Sequence, residues 1–276
     1  MPRFDLPQLL QLQRNLLFLR IDDAIDVTRL DLSGFLELRS FSVGVSDLRD
    51  VLLPESLECL SVGYSQLDFG CIRRLTNLVK LQVSNVRANP FDVQTKSSLR
   101  EVEFQFCAVR SFMFSAEIES ISVTSCDHLD LSGVLSQILE RLNSLSIYGQ
   151  KQQLNLDLNN YPRLNRLHTT KSNVHIVSHA QNYLEVSLSN GQEIPATAGI
   201  RDLKLTGFDF FEGICAKRLY KISLLDCNLS WMPVLETLRE IRLIRCHNFN
   251  QSMLTGTNLQ LLQIIDTQTV RLNLRE

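Results

Sequence analysis

The sequence predicts one α/β repeat solenoid, with a parallel ladder of short strands on its concave side and a convex back that is mostly extended or 3₁₀, with few helices. Three observations predict it. A pattern of three apolar positions, the first, fourth and sixth of a unit, recurs from end to end at intervals of about 20 residues. Hydrophobic residues make up 44% of the 276 and charged residues 21%, which suits a folded chain and is too apolar for a disordered one. The interval is also short: a strand and its turn leave about nine residues for the return path, too few for a helix and two connections.

The first apolar residues of the units are Leu16, Leu38, Leu57, Leu78, Leu99, Ile118, Leu142, Leu164, Tyr183, Ile200, Leu219, Leu238 and Leu259. Leu57, Leu60 and Val62 show the pattern clearly, as do Leu219, Ile222 and Leu224. Side chains two apart on a strand point the same way, so the fourth and sixth positions face one interior and the first turns into it. A single unit cannot bury that edge, whereas stacked units share a continuous core. Thr169 is the one polar residue at these positions, in the unit of Leu164 and Leu167.

Two segments predict helices. Residues 1–15 predict an N-terminal cap, with Asp5 as N-cap, Pro7 in the first turn, then Leu9, Leu10 and Arg14. In the long interval from 118 to 142, Leu131, Leu135, Ile138, Leu139 and Leu142 fall at helical spacing and Ser132 is placed to cap them. Residues 16–269 form the repeats. Residues 270–276, with alternating Val270, Leu272 and Leu274, predict a strand-like C-terminal cap whose polar residues blunt an open edge. The whole chain, 1–276, is expected to be a single domain.

This pattern resembles the leucine-rich repeat superfamily over roughly Leu16 to Arg275, with about thirteen short repeats. The resemblance implies a horseshoe, and a ninth position whose side chain serves backbone groups in the turn after each strand. That family usually carries Asn or Cys there. Here the column reads Ala24, Ser46, Ser65, Val86, Cys107, Cys126, Gln150, Ser172, Gly191, Phe208, Cys227, Cys246 and Thr267, with no Asn, so irregular turns are expected.

Composition and motifs exclude several functions. Lys+Arg is 28 against 30 Asp+Glu, a net charge of −2, which argues against a protein built to coat nucleic acid or an anionic membrane. No secretory leader and no long apolar span is evident, so a cytoplasmic or nuclear protein is expected. Seven cysteines, an odd number, fit free thiols in a reducing compartment. Cys107/Cys126 and Cys227/Cys246 repeat at the unit period rather than at a ligand spacing, and read as buried structural thiols. His175 and His179 form H-x-x-x-H, but between strands, where they are read as turn residues rather than zinc ligands. Asp22, Asp23 and Asp26 lack the further oxygens and turn glycine of a calcium loop. No phosphate-binding glycine loop or nucleophile elbow is present. No enzyme, cofactor or metal is expected.

A surface for a partner is expected on the concave strand face, at the third, fifth, seventh and eighth positions. The fifth position is serine six times in thirteen, a shallow polar groove. Larger side chains interrupt it: Tyr64, Phe106 and Tyr148 in the first half, and Leu225, Ile244 and Ile265 toward the end, beside Lys204, Lys221, Arg242 and Arg245. Aromatic and arginine side chains among small polar ones are the composition of interface hot spots, and exposed Ile and Leu on adjacent strands point to a contact surface. The expected function is a non-catalytic protein–protein interaction scaffold, a monomer or one subunit of a larger complex, with a protein partner of unspecified identity and neither nucleic acid nor membrane. Two alternatives follow from resemblance. The cysteine column is similar to that of F-box leucine-rich repeat proteins, substrate receptors of ubiquitin ligases, although the residues before Leu16 are too few for an F-box. Short helix-poor repeats with Pro54 on the back resemble bacterial-type effectors.

Overall fold

A computed structural model describes residues 15–24, 28–46, 49–64, 72, 74–86, 91–93, 98–109, 112–114, 117–177, 184–190, 192, 200–209, 218–230, 235–250, 254 and 257–267. The chain is a parallel β-solenoid, nearly all strand, in two compact units, Met1–Ile138 and Leu139–Glu276.

The first unit carries strands β1 (Phe18–Ala24), β2 (Arg29–Asp31), β3 (Ser40–Ser46), β4 (Asp50–Leu52), β5 (Cys59–Gly63), β6 (Lys80–Ser84), β7 (Phe91–Val93), β8 (Glu101–Gln105), β9 (Phe112–Phe114) and β10 (Ser120–Thr124). Its main sheet runs β1-β3-β5-β6-β8-β10, every pair parallel. Short parallel pairs, β2 with β4 and β7 with β9, form on the return paths. The second unit carries β11 (Ser144–Tyr148), β12 (Leu154–Asp157), β13 (Arg166–Thr170), β14 (Val174–Val177), β15 (Leu184–Ser189), β16 (Ile200–Thr206), β17 (Lys221–Leu225), β18 (Glu240–Ile244) and β19 (Leu261–Ile265). Its main sheet runs β11-β13-β15-β16-β17-β18-β19, again parallel, with β12 and β14 paired on the return side.

The apolar pattern explains this arrangement. First-position Leu38, Leu57, Leu78 and Ile118 are fully buried in the first unit, as are Leu142, Leu219 and Leu238 in the second. Fourth- and sixth-position residues alternate with half-exposed neighbours along β6, β10 and β17. Stacking is in register: Val83 faces Phe104, which faces Val123, and Leu205 faces Leu224, which faces Leu243. Most main-sheet strands begin with two successive N–H groups donating to one carbonyl of the coil before, as Glu58 and Cys59 do to Arg39. A glycine is needed at Gly44, because a Cβ there would lie 2.5 Å from the Asp22 carbonyl oxygen.

The α/β solenoid expected from the sequence is, among the described residues, strand with almost no helix. Among the described residues the single α-helix is α1, Leu131–Leu135, five residues long. The helical spacing reaching Leu142 is therefore realised for little more than one turn, since Leu142 is already the buried first position of the next strand. Asp130 caps it, its carboxylate accepting from the Gly133 N–H at 3.0 Å; Ser132, expected as the cap, lies inside the helix. The caps expected at 1–15 and 270–276 lie outside the described residues, apart from residue 15. Among the described residues no helix is long and apolar enough to cross a membrane.

Candidate functional site

Ten of the thirteen main-sheet strands end in the same way, the exceptions being β1, β3 and β15. The eighth residue of the unit adopts a left-handed conformation, with φ between 42° and 54° at Tyr64, Asn85, Phe106, Ser125, Lys171, Asp226, Arg245 and Asp266. Gly149 and Gly207 occupy the same position with φ of 66° and 70°. Its N–H continues the ladder: Tyr64 donates to Ser84, Asn85 to Gln105, Phe106 to Thr124, Asp226 to Ile244 and Arg245 to Ile265. The eighth position is thus a turn rather than part of the strand face expected from the pattern. The Asn, Ser, Gly and Asp residues in that column were the signal for it.

The ninth residue closes the turn. The Cys107 thiol bonds the carbonyls of Val83 and Gln105, both at 3.3 Å, and the Cys107 N–H donates to the Cys126 sulfur. Cys227 and Cys246 bond carbonyls of their own coil and the preceding one in the same manner. Ser172 does this work with a hydroxyl, which bonds the Ile147 and Thr170 carbonyls and accepts from the Gln150 N–H. Cys107, Cys126, Cys227 and Cys246 are buried thiols that form no disulfide.

The outward face of each sheet then consists of rows at the third, fifth and seventh positions. In the first unit the middle of the face is a polar network. Lys80 pairs with Glu101 at 3.3 Å, and Glu103 accepts from both Gln82 and Gln105. Tyr64 and Phe106 stand at the rim, on the left-handed turns either side of Asn85, and are 58% and 55% exposed. A bulky exposed side chain in a left-handed backbone is unfavourable, whereas Asn tolerates it. Phe106→Asn is accordingly expected to raise stability by about 0.5–1 kcal/mol in urea unfolding. A loss of stability would show that the ring packs on the coil beside it.

In the second unit the fifth-position row reads Ser146, His168, Ser187, Lys204, Ser223, Arg242 and Gln263, each directly opposite the next. The seventh-position row changes from hydroxyls to hydrocarbon, with Thr206 opposite Leu225, Leu225 opposite Ile244, and Ile244 opposite Ile265. Ile265 is 39% exposed, and Leu261, on the same strand, 41%. The structure therefore brings together Lys204, Arg242, Leu225, Ile244 and Ile265. Lys221 stands one row over and pairs with Asp202 at 3.2 Å. Arg245 is on the turn and grips Asp226 with two bonds of 2.7 Å, which hold the Asp226 carboxyl below its ordinary range. Tyr148 closes the seventh-position row at β11, with Lys171 over its ring at 5.9 Å. His175 points outward and is exposed on β14, and His179 lies outside the described residues. Among the described residues no cluster of three or more His, Cys, Asp or Glu is placed to hold a metal.

His168 was not singled out by its sequence context. Its Nε2 lies 2.8 Å from the Thr170 hydroxyl, and burial, then the charge of Lys204, pushes its pKa below the ordinary value. The neutral ring is favoured in the folded state, so this residue opposes folding as pH falls below about 6.5, where the unfolded ring takes up a proton. An NMR titration is expected to place its midpoint below that value, and Lys204→Met to move it upward. A midpoint unchanged by Lys204→Met would remove the lysine from this account.

No family model matches the chain, and no curated protein matches it. The class is defined by the fold itself: a parallel β-solenoid whose outward sheet faces present ordered rows of side chains.

Proposed function

We propose that the chain is a non-catalytic protein-interaction scaffold that binds a protein partner on the outward face of its strand ladder, in a leucine-rich-repeat horseshoe of about thirteen short repeats with that face concave. The observation that carries this reading is the adjacency of Lys204 and Arg242 to an unbroken line of Leu225, Ile244 and Ile265. Aliphatic side chains pointing outward on three neighbouring strands add nothing to the core, and beside cations that form no ion pair among the described residues they make the amphipathic patch that protein partners bury. The turns support the resemblance, because ninth-position side chains bond turn carbonyls as that family's do.

Affinity capture from the native source with the wild-type chain and with an Arg242→Glu/Ile244→Asp variant tests it. Both residues point outward, so the variant is expected to fold, as circular dichroism will report, and to lose its captured protein. Equal capture by the two chains would reject this patch. The cysteine column favours a second reading, a substrate-recognition subunit or adaptor of a ubiquitin ligase. Ligase subunits recovered in the same capture would support it, and their absence would leave the simple scaffold.

A further inference from the structure

We infer that the C-terminal patch of the second unit takes a peptide segment in the polyproline-II conformation carrying carboxylates about three residues apart, with aliphatic side chains between them. The inference rests on the reading of this face as a protein-binding surface and specifies the chemistry of what binds.

Charge placement is the first argument. The fifth-position row from Ser146 to Gln263 contains no carboxylate, and the seventh-position row beside it contains no charge. Carboxylates on this face occupy the third-position row, at Glu185, Asp202 and Glu240. Glu185 pairs with Arg166 at 3.8 Å and Asp202 with Lys221 at 3.2 Å, while on the turn Arg245 is held by Asp226. Lys204 and Arg242 have no ion pair among the described residues. The neighbouring cations are matched within the fold, and these two are left facing outward in a row without acid.

Spacing is the second. Ser223 separates Lys204 from Arg242, so the two cations stand two strands apart, about 10 Å. Three residues of polyproline-II chain make one turn and rise about 9 Å, returning the side chain to the same face, which sets the carboxylate interval of a segment lying across the strands. The small Ser223 between them leaves room for its backbone. The third argument is the hydrocarbon alongside. Leu225, Ile244 and Ile265 would face a nucleic-acid backbone without gain, whereas aliphatic side chains of a peptide bury them.

Selection of a random phage-displayed peptide library on the full chain tests this. The selected peptides are then measured by fluorescence polarisation against the wild type, Lys204→Glu/Arg242→Glu, Ile244→Ser and, at the far end of the seventh-position row, Tyr148→Ala. The expected result is enrichment of Asp or Glu at an interval of three with Leu, Ile or Val between. Affinity should fall about tenfold or more on the charge-reversed chain and recover when the peptide's acids are changed to Lys. Enriched peptides without carboxylates, no enrichment at all, or affinity indifferent to Lys204→Glu/Arg242→Glu would overturn the inference. Peptides lost on Tyr148→Ala but not on charge reversal would overturn it while leaving a protein-binding face in place. Binders indifferent to every variant would overturn both. A dimer in sedimentation that dissociates on Arg242→Glu would put a second copy of the chain on this patch instead.

Discussion

Phe104→Ala is expected to lower the unfolding free energy by about 3–5 kcal/mol, the cost of removing a buried aromatic ring and leaving its cavity. Phe104 is the sixth-position residue of β8 and is 1% exposed. It lies in register with Val83 on one side and Val123 on the other, so the void would open between two coils at once. Both neighbours are short and β-branched, with restricted χ1, and cannot reach in to fill it. Coils in a stack contact only their neighbours, so the damage should be local. Hydrogen exchange is expected to show protection lost first in β6, β8 and β10. Urea unfolding measures the total. A loss under 1 kcal/mol would mean that this part of the stack is not a close-packed core.

Gln192→Leu should be the next most damaging change, at about 2–4 kcal/mol, because it orphans two buried groups at roughly 1–2 kcal/mol each. The Gln192 amide nitrogen donates to the Thr169 hydroxyl at 2.6 Å, and its oxygen accepts from the Ser189 N–H at 2.8 Å. Gln192 is 8% exposed and Thr169 not at all, so water cannot replace either bond. Thr169→Val removes one of the orphans, so the double variant should cost less than the sum of the singles. A coupling of about 0.5–3 kcal/mol is expected for residues in direct contact. Strict additivity would show that the two do not depend on one another.

These two sites divide what the pattern could and could not convey. Phe104 was readable, because its burial follows from its place in the repeat. Thr169 stood out as the polar exception, but its partner is 23 residues away in a segment with no recognisable pattern. Nothing local announces that a glutamine will turn inward to meet a threonine. The helix expected from 131 to 142 stopped at Leu135 for a related reason. Its apolar spacing was real, but Leu142 belongs to the next strand, and a residue can serve only one of two periodicities. Arg245 also looked like a companion of Arg242 in sequence. The left-handed turn after β18 sends it to Asp226, on a different part of the molecule's surface.

The sequence by itself determined the repeat, its period, the inward-facing residues and the near absence of room for helices. All of these are consequences of side-chain alternation along a strand and the length of chain between strands, which are local quantities. Tertiary structure alone decided which side chains stand opposite one another. The matching of Lys221 and Arg245 by acids and the line of Leu225, Ile244 and Ile265 depend on register between coils about twenty residues apart. Register is fixed when the coils stack, since only then do the core residues choose their neighbours.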